Sequence, residues 1–237
     1  MQNKAQLFCF TYAGGTAAFF DNIEKCLNNV EVIPLEYAGH GNRVKEPFYQ
    51  DFDELAKDLY VKLVNNYKGG KYALFGYSMG TISVVEVLKR IIEKHVIKLP
   101  DYIFLAAHEP YTKTVIKEYS ESEIDDFVKE RTVSFGGVPE KLINNKSFWR
   151  IYLPIYRADY SIIHKYRFEA LKLKISIPAV VFYSENDTPF KKMKDWNQYF
   201  IEKCEYYEFD GTHFFMKEHY CDIANIIKEK IGAINDI

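Results

Sequence analysis

The chain of 237 residues has few cysteines, little net charge and no long apolar run. Its four cysteines, Cys9, Cys26, Cys204 and Cys221, are widely spaced and form no C-x-x-C pair. A disulfide-stapled scaffold needs a smaller and denser pattern, so the spacing predicts reduced, mostly buried thiols and a cytoplasmic protein. Lysine and arginine number 31 against 33 acids, a formal charge of −2, with no long block of either sign. Bulk electrostatics therefore give no reason to expect a nucleic-acid or membrane-surface partner. No stretch approaches the roughly 20 apolar residues of a membrane span, and "AQLFCF" is too short for a signal peptide. H-E-x-x-H, G-x-x-x-x-G-K and G-x-G-x-x-G are absent, as are repeats and low-complexity tracts. No metal and no cofactor is expected.

What is present is an alternation of short β-rich runs with helical patterns. The runs are "AQLFCFTY" (5–12), "VEVIPLEY" (30–37), "YALFGYS" (72–78), "YIFLAA" (102–107), "PAVVFYS" (178–184) and "CEYYEFD" (204–210). Several are continuously apolar, as strands covered on both faces are. Between them Leu55, Leu59 and Leu63 repeat at helical spacing, Ile82, Val85, Leu88 and Ile92 form a second stripe, and Tyr220, Ile223, Ile227 and Ile231 a third. This pattern predicts an α/β fold, a mostly parallel sheet with helices on both faces, in a single domain spanning 1–237. The alternation fails between about 111 and 165, which reads as helices without strands. Ser120 or Ser122 is placed to cap the first of them. Position alone does not separate an extra space-filling layer from a lid over the sheet's carboxyl edge, where open α/β sheets bind ligands.

One motif gives this scaffold a chemistry. Gly76-Tyr77-Ser78-Met79-Gly80 follows a strand directly and opens a helix directly. G-x-S-x-G alone is a weak signal, but the strand-to-helix setting is that of a nucleophile elbow. The serine sits in a strained turn, and side chains at the flanking glycines would strike the neighbouring strand and helix. The new helix offers the Met79 N–H and a favourable dipole to a developing oxyanion.

A serine nucleophile needs a base and an orienting acid, in the chain order Ser, acid, His for this architecture. Of six histidines, His213 in "FDGTHFF" stands in a loop just past the last strand. His219 falls in the final helical pattern, and His40, His108 and His164 precede the candidate acid. Asp187 in "VVFYSENDTPF" ends an apolar strand and begins a loop. Glu185 and Asp210 are its rivals, with Asp159 further outside. A second oxyanion donor belongs on another loop at the same edge. In the glycine-rich "FTYAGGTAAFF" the backbone N–H of Ala13 is the choice.

These pieces together resemble one family, the type II (editing) thioesterases of nonribosomal peptide and polyketide synthases, within the α/β-hydrolase superfamily. "CFTYAGGTA" (9–17) is similar to the family's C-F-P-Y-A-G-G-S-A, "GYSMG" to its G-H-S-M-G and "GTHFF" (211–215) to its G-G-H-F-F. "FGGVPE" (135–140) and "LPIYRADY" (153–160) match signatures of its lid. The likeness runs in order over nearly the whole chain. It implies an α/β-hydrolase fold with an inserted helical lid, Ser78 as nucleophile, His213 as base, Asp187 as acid, and Ala13 and Met79 as oxyanion hole. It also implies hydrolysis of acyl thioesters on the phosphopantetheine arm of an acyl or peptidyl carrier protein, and a monomer is expected. Departures lie near the mouth of the site: Thr11 for a usual proline, Tyr77 for a usual histidine, "YAGHGNR" (37–43) for P-G-R-G-x-R and "AAHEP" (106–110) for S-G-x-x-A-P. A carboxylesterase, or a medium-chain acyl-coenzyme A or fatty-acyl thioesterase, would use the same triad. A non-catalytic relative would be expected to have lost part of it.

Overall fold

The computed structural model describes residues 4–110, 121–168 and 174–232. Six strands pair in parallel in the order β2-β1-β3-β4-β5-β6. They are β1 (Ala5–Phe10), β2 (Val30–Pro34), β3 (Tyr72–Tyr77), β4 (Tyr102–Ala106), β5 (Ala179–Tyr183) and β6 (Glu205–Glu208). Every residue of β3 and β5 is buried, which is why those runs are apolar without alternation. The edge strand β6 reads Glu-Tyr-Tyr-Glu and has exposed ends.

The helices are α1 (Asp21–Cys26), α2 (Phe52–Asn66), α3 (Met79–Lys94), α4 (Glu121–Ser134), α5 (Lys146–Lys165), α6 (Phe190–Met193) and α7 (Tyr220–Gly232). Two large cores result. One holds Leu55, Leu59 and Leu63 of α2 with Ile82, Val85 and Leu88 of α3. The other holds Ile23 of α1 with Ile223, Ile227 and Ile231 of α7. The Asp51 carboxylate starts α2 by accepting from the Glu54 N–H at 2.9 Å. The last helix begins at Tyr220, so His219 precedes it.

The cysteine reading is corrected in part. Cys9 and Cys204 are free and buried, whereas Cys26 and Cys221 are joined in a disulfide between α1 and α7. Their Cα atoms lie 5.3 Å apart although 195 residues separate them in the chain. The pairing follows from packing of the first and last helices on one sheet face, which no local cysteine pattern announces.

Between β4 and β5 the described residues contain α4 and α5, with a small core of Val128, Val138, Trp149 and Tyr156. Residues 111–120, with the expected cap Ser120, lie outside the described residues, as does the Ser122 side chain. The Asn145 side chain caps α5, accepting from Phe148 N–H at 2.9 Å. Tyr166, just past α5, donates to Glu86 of α3 at 2.6 Å and ties the insertion to the sheet's helices. Among the described residues no helix is long and apolar enough to cross a membrane.

Candidate active site

The sheet order reverses at β1, between β2 and β3, and the loops leaving β1 and β3 open a crevice at their carboxyl ends. Ser78 lies where β3 becomes α3, at φ 54° and ψ −117°, a backbone state rarely adopted by residues with a side chain. Both flanking glycines are required by contact. A Cβ on Gly76 would lie 2.3 Å from the Gly80 carbonyl oxygen, and one on Gly80 2.0 Å from that of Phe10. The turn therefore needs glycine at both 76 and 80, on either side of the serine.

The Ser78 Oγ is 3.0 Å from His213 Nε2. On the ring's other side, Nδ1 is 3.0 and 3.1 Å from the two oxygens of Asp187. Ser184 Oγ, at the end of β5, donates to the Gly211 carbonyl at 2.6 Å, joining the acid's loop to the base's loop. The rivals sit elsewhere. Glu185 accepts the N–H of Phe190 at 2.9 Å, and Asp210 meets a histidine through its backbone, where its carbonyl lies 3.1 Å from His219 Nε2. Asp159 faces His40 instead of His213.

The serine, histidine and Asp187 open onto a cavity of about 220 Å³ shared with Ala13. Met79 is the first residue of α3, so its N–H has no carbonyl one turn earlier to bond. Phe135, just past α4, stacks on the His213 ring at a centroid distance of 4.2 Å, and the Arg131 guanidinium lies over the Phe135 ring at 4.3 Å. Glu109, Arg131 and Lys192 bring charge to the cavity wall. His108, on the same wall, is buried, and that burial pushes its pKa down to about 4 despite the opposing pull of Glu109.

The thioesterase-domain family model matches residues 5–231. The chain belongs to the thioesterase family. Among curated relatives it is 27% identical to the rat "S-acyl fatty acid synthase thioesterase, medium chain" over 96% of this chain and 86% of that protein. It is also 27% identical to the gramicidin S biosynthesis protein GrsT of Aneurinibacillus migulanus, over 98% of this chain and 90% of that one. Among solved structures, ClbQ from the colibactin NRPS/PKS pathway superposes with a TM-score of 0.87 at 26% identity, covering 98% of this chain and 99% of that chain.

Within this thioesterase scaffold, two of the sequence departures acquire a place. The Tyr77 hydroxyl, replacing a usual histidine, donates to the carbonyl of His213 at 2.7 Å. His40, in "YAGHGNR", contacts Asp159 of α5 at 2.9 Å. Residue-by-residue reading missed Phe135, Tyr156 and the His40–Asp159 contact as parts of the site. The signal available was that Phe135, Tyr156 and Asp159 all lie inside "FGGVPE" and "LPIYRADY", which were recognised as patterns without a chemical role.

Proposed function

We propose that this thioesterase hydrolyses acyl groups from the phosphopantetheine arm of carrier proteins in a nonribosomal peptide or polyketide synthase, with Ser78, His213 and Asp187 as its triad. The continuous Ser78–His213–Asp187 hydrogen-bonded chain opening onto the cavity carries this reading. His213 takes the Ser78 proton through Nε2 while Oγ attacks the thioester carbonyl carbon. The N–H groups of Met79 and Ala13 hold the oxyanion. The tetrahedral intermediate collapses by breaking the C–S bond, and the thiol leaves with the proton held on His213. Water then gives a proton to His213 and attacks the acyl-serine. Breaking the ester C–O bond returns the proton to Ser78 and releases the acid. Asp187 fixes the tautomer that leaves Nε2 free to accept.

The names of the relatives support two acyl classes, fatty-acid chains and the intermediates of peptide or polyketide assembly. The polar part of the cavity wall, Glu109, Arg131 and Lys192, supports the second, because it offers partners that a saturated chain cannot use. Removal of wrong or stalled acyl groups is the role we assign, in one monomeric domain whose insertion near 111–165 acts as the lid. We place it in the cytoplasm, a reading that rests on the sparse cysteines and not on the Cys26–Cys221 disulfide.

The test is intact-protein mass spectrometry of carrier proteins loaded with aminoacyl, short polyketide-like and medium fatty acyl groups. The expected result is loss of the acyl mass with the wild-type protein and none with Ser78→Ala. Unloading of the medium fatty acyl group alone would instead establish the fatty-acyl reading.

A further inference from the structure

Helix α5 sets two side chains, three residues apart, against Gly14, the neighbour of the proposed oxyanion donor Ala13. A Cβ on Gly14, whose φ is +75°, would lie 2.0 Å from Tyr156 Cε1. The Gly14 N–H donates to Asp159 Oδ2 at 2.6 Å. That same oxygen lies 2.9 Å from His40 Nε2, and His40 Nδ1 lies 3.0 Å from the Ala38 carbonyl oxygen. Both side chains are nearly sealed from solvent, at 1% exposure for His40 and 4% for Asp159. A backbone carbonyl can only accept, and a carboxylate oxygen does the same, so an imidazole carrying one N–H satisfies one contact and leaves lone pairs opposed at the other. An imidazolium satisfies both.

We propose that the His40–Asp159 pair is a positioning device for the oxyanion hole: charged His40 holds Asp159, and Asp159 holds the Gly14 amide and with it the adjacent Ala13 N–H. This deepens the thioesterase chemistry proposed above and rests on it. The charged groups facing His40 are Asp159 from α5 and Glu36 from the segment after β2; Tyr37 and Phe48 meet it with their rings. Burial works against the imidazolium. The charge and hydrogen bond of Asp159, the Ala38 carbonyl and Glu36 outweigh burial and raise the His40 pKa above the ordinary histidine value. The pair is therefore intact below the usual histidine range and is lost as pH rises through the raised value. Turnover should fall on the alkaline side for that reason. His40 stands where the family pattern in the sequence has arginine, a residue that stays charged throughout.

The experiment measures kcat and KM on a short-chain acyl-coenzyme A from weakly acid to alkaline pH. It compares wild type, Asp159→Asn, His40→Gln and His40→Arg, with thermal unfolding of each. Asp159→Asn should lower kcat by about 10–100-fold with little change in KM, the scale of a misplaced catalytic contact. His40→Gln should hold kcat low across the neutral range and abolish the alkaline fall, while His40→Arg should keep kcat and extend it to higher pH. If the arginine does not fold, the smaller glutamine carries the test. An Asp159→Asn kcat within twofold of wild type, or the wild-type alkaline limb persisting in His40→Gln, overturns the proposal. Labelling of wild-type Ser78 by a serine-directed fluorophosphonate separates the two readings. Without labelling the triad itself is wrong; with labelling and an unaffected Asp159→Asn, the positioning role alone falls.

Discussion

The phenol of Tyr77 donates to the carbonyl oxygen of His213 at 2.7 Å, so the residue before the nucleophile supports the loop that bears the candidate base. Tyr77 is fully buried, and its ring also meets the His213 imidazole edge-on at 6.3 Å. Tyr77→Phe keeps the packing and removes the donor, leaving a buried carbonyl short of a partner. The expected loss of stability is about 1–3 kcal/mol. Turnover should drop by roughly tenfold as the base drifts from Ser78, with KM nearly unchanged. Denaturant unfolding and steady-state kinetics on the same preparation check both halves. Normal kcat at reduced stability would make Tyr77 a purely structural residue.

Ser78→Ala should eliminate thioester hydrolysis and leave thermal stability almost as it is, because the hydroxyl adds little packing and the turn's backbone is unchanged. His213→Ala should be equally severe, and the double variant little worse than either single one, since groups that act as a unit are not additive. Single-turnover assays with an acyl-coenzyme A read the result. Residual turnover well above background in Ser78→Ala would rule out Ser78 as nucleophile.

The acid is tested by amide replacement. With both oxygens of Asp187 near His213 Nδ1, Asp187→Asn should cost about 10⁴-fold in kcat, the scale of lost tautomer control. Asp210→Asn should be mild, because Asp210 approaches a histidine through its backbone carbonyl, which the amide keeps. Glu185→Gln should change mainly stability, through its bond to the Phe190 N–H. A crippled Asp210→Asn beside a mild Asp187→Asn would move the acid to the other loop.

Strand and helix positions were legible because burial on both faces writes itself as unbroken apolar runs, and burial on one face as a stripe. The predicted strands ran one to three residues long at their carboxyl ends. Thr11, Ser78, Ala107 and Ser184 are apolar or small like a strand residue, yet the chain leaves the ladder there to build the site. The elbow and its partners were legible for a different reason. Gly76 and Gly80 are dictated by contacts at 2.3 and 2.0 Å, and chain order narrows the histidines. The His40–Asp159 contact was not legible, since 119 residues separate the partners and neither stands in a local chemical motif. The same holds for Cys26 and Cys221, brought together only by the packing of α1 on α7.

His108 sets an acid limit to stability. Its folded pKa is pushed down to about 4, below the ordinary value near 6.5, chiefly by burial. The unfolded chain therefore binds a proton across that interval while the folded chain does not, and stability falls as pH drops from about 6.5 toward 4. The loss from this one group is at most about 3 kcal/mol. His108→Gln should flatten that part of the pH–stability curve, measured by denaturant midpoints at several pH values. An unchanged slope would show that His108 is charged in the folded protein.

A carrier-bound thioester should be a better substrate than the same acyl group on coenzyme A or a short thiol. The reasons lie in the described part of the insertion, which lines the cavity. Its α4 segment places Phe135 directly on His213, and α5 exposes Ile151 and Tyr152 on its outer face, at 59% and 40%. Those apolar groups offer a carrier more than they offer a small thiol. Charge does not obviously steer the approach, because residues 111–150 contain seven basic and seven acidic side chains. Screening at physiological salt has a length of about 8 Å, so such a mixed surface should lose little on-rate as salt is raised. The measurement compares kcat/KM for one acyl group on a carrier protein, on coenzyme A and on a short thiol, at low and high ionic strength. The expected outcome is a preference of at least about tenfold for the carrier, lodged mainly in KM, with a shallow salt dependence; tenfold corresponds to about 1.4 kcal/mol of added contact. Equal values on all three would argue for a general esterase whose insertion serves the acyl group alone. A steep decline with salt would show that charges which balance in number are segregated in space, and that docking follows their pattern.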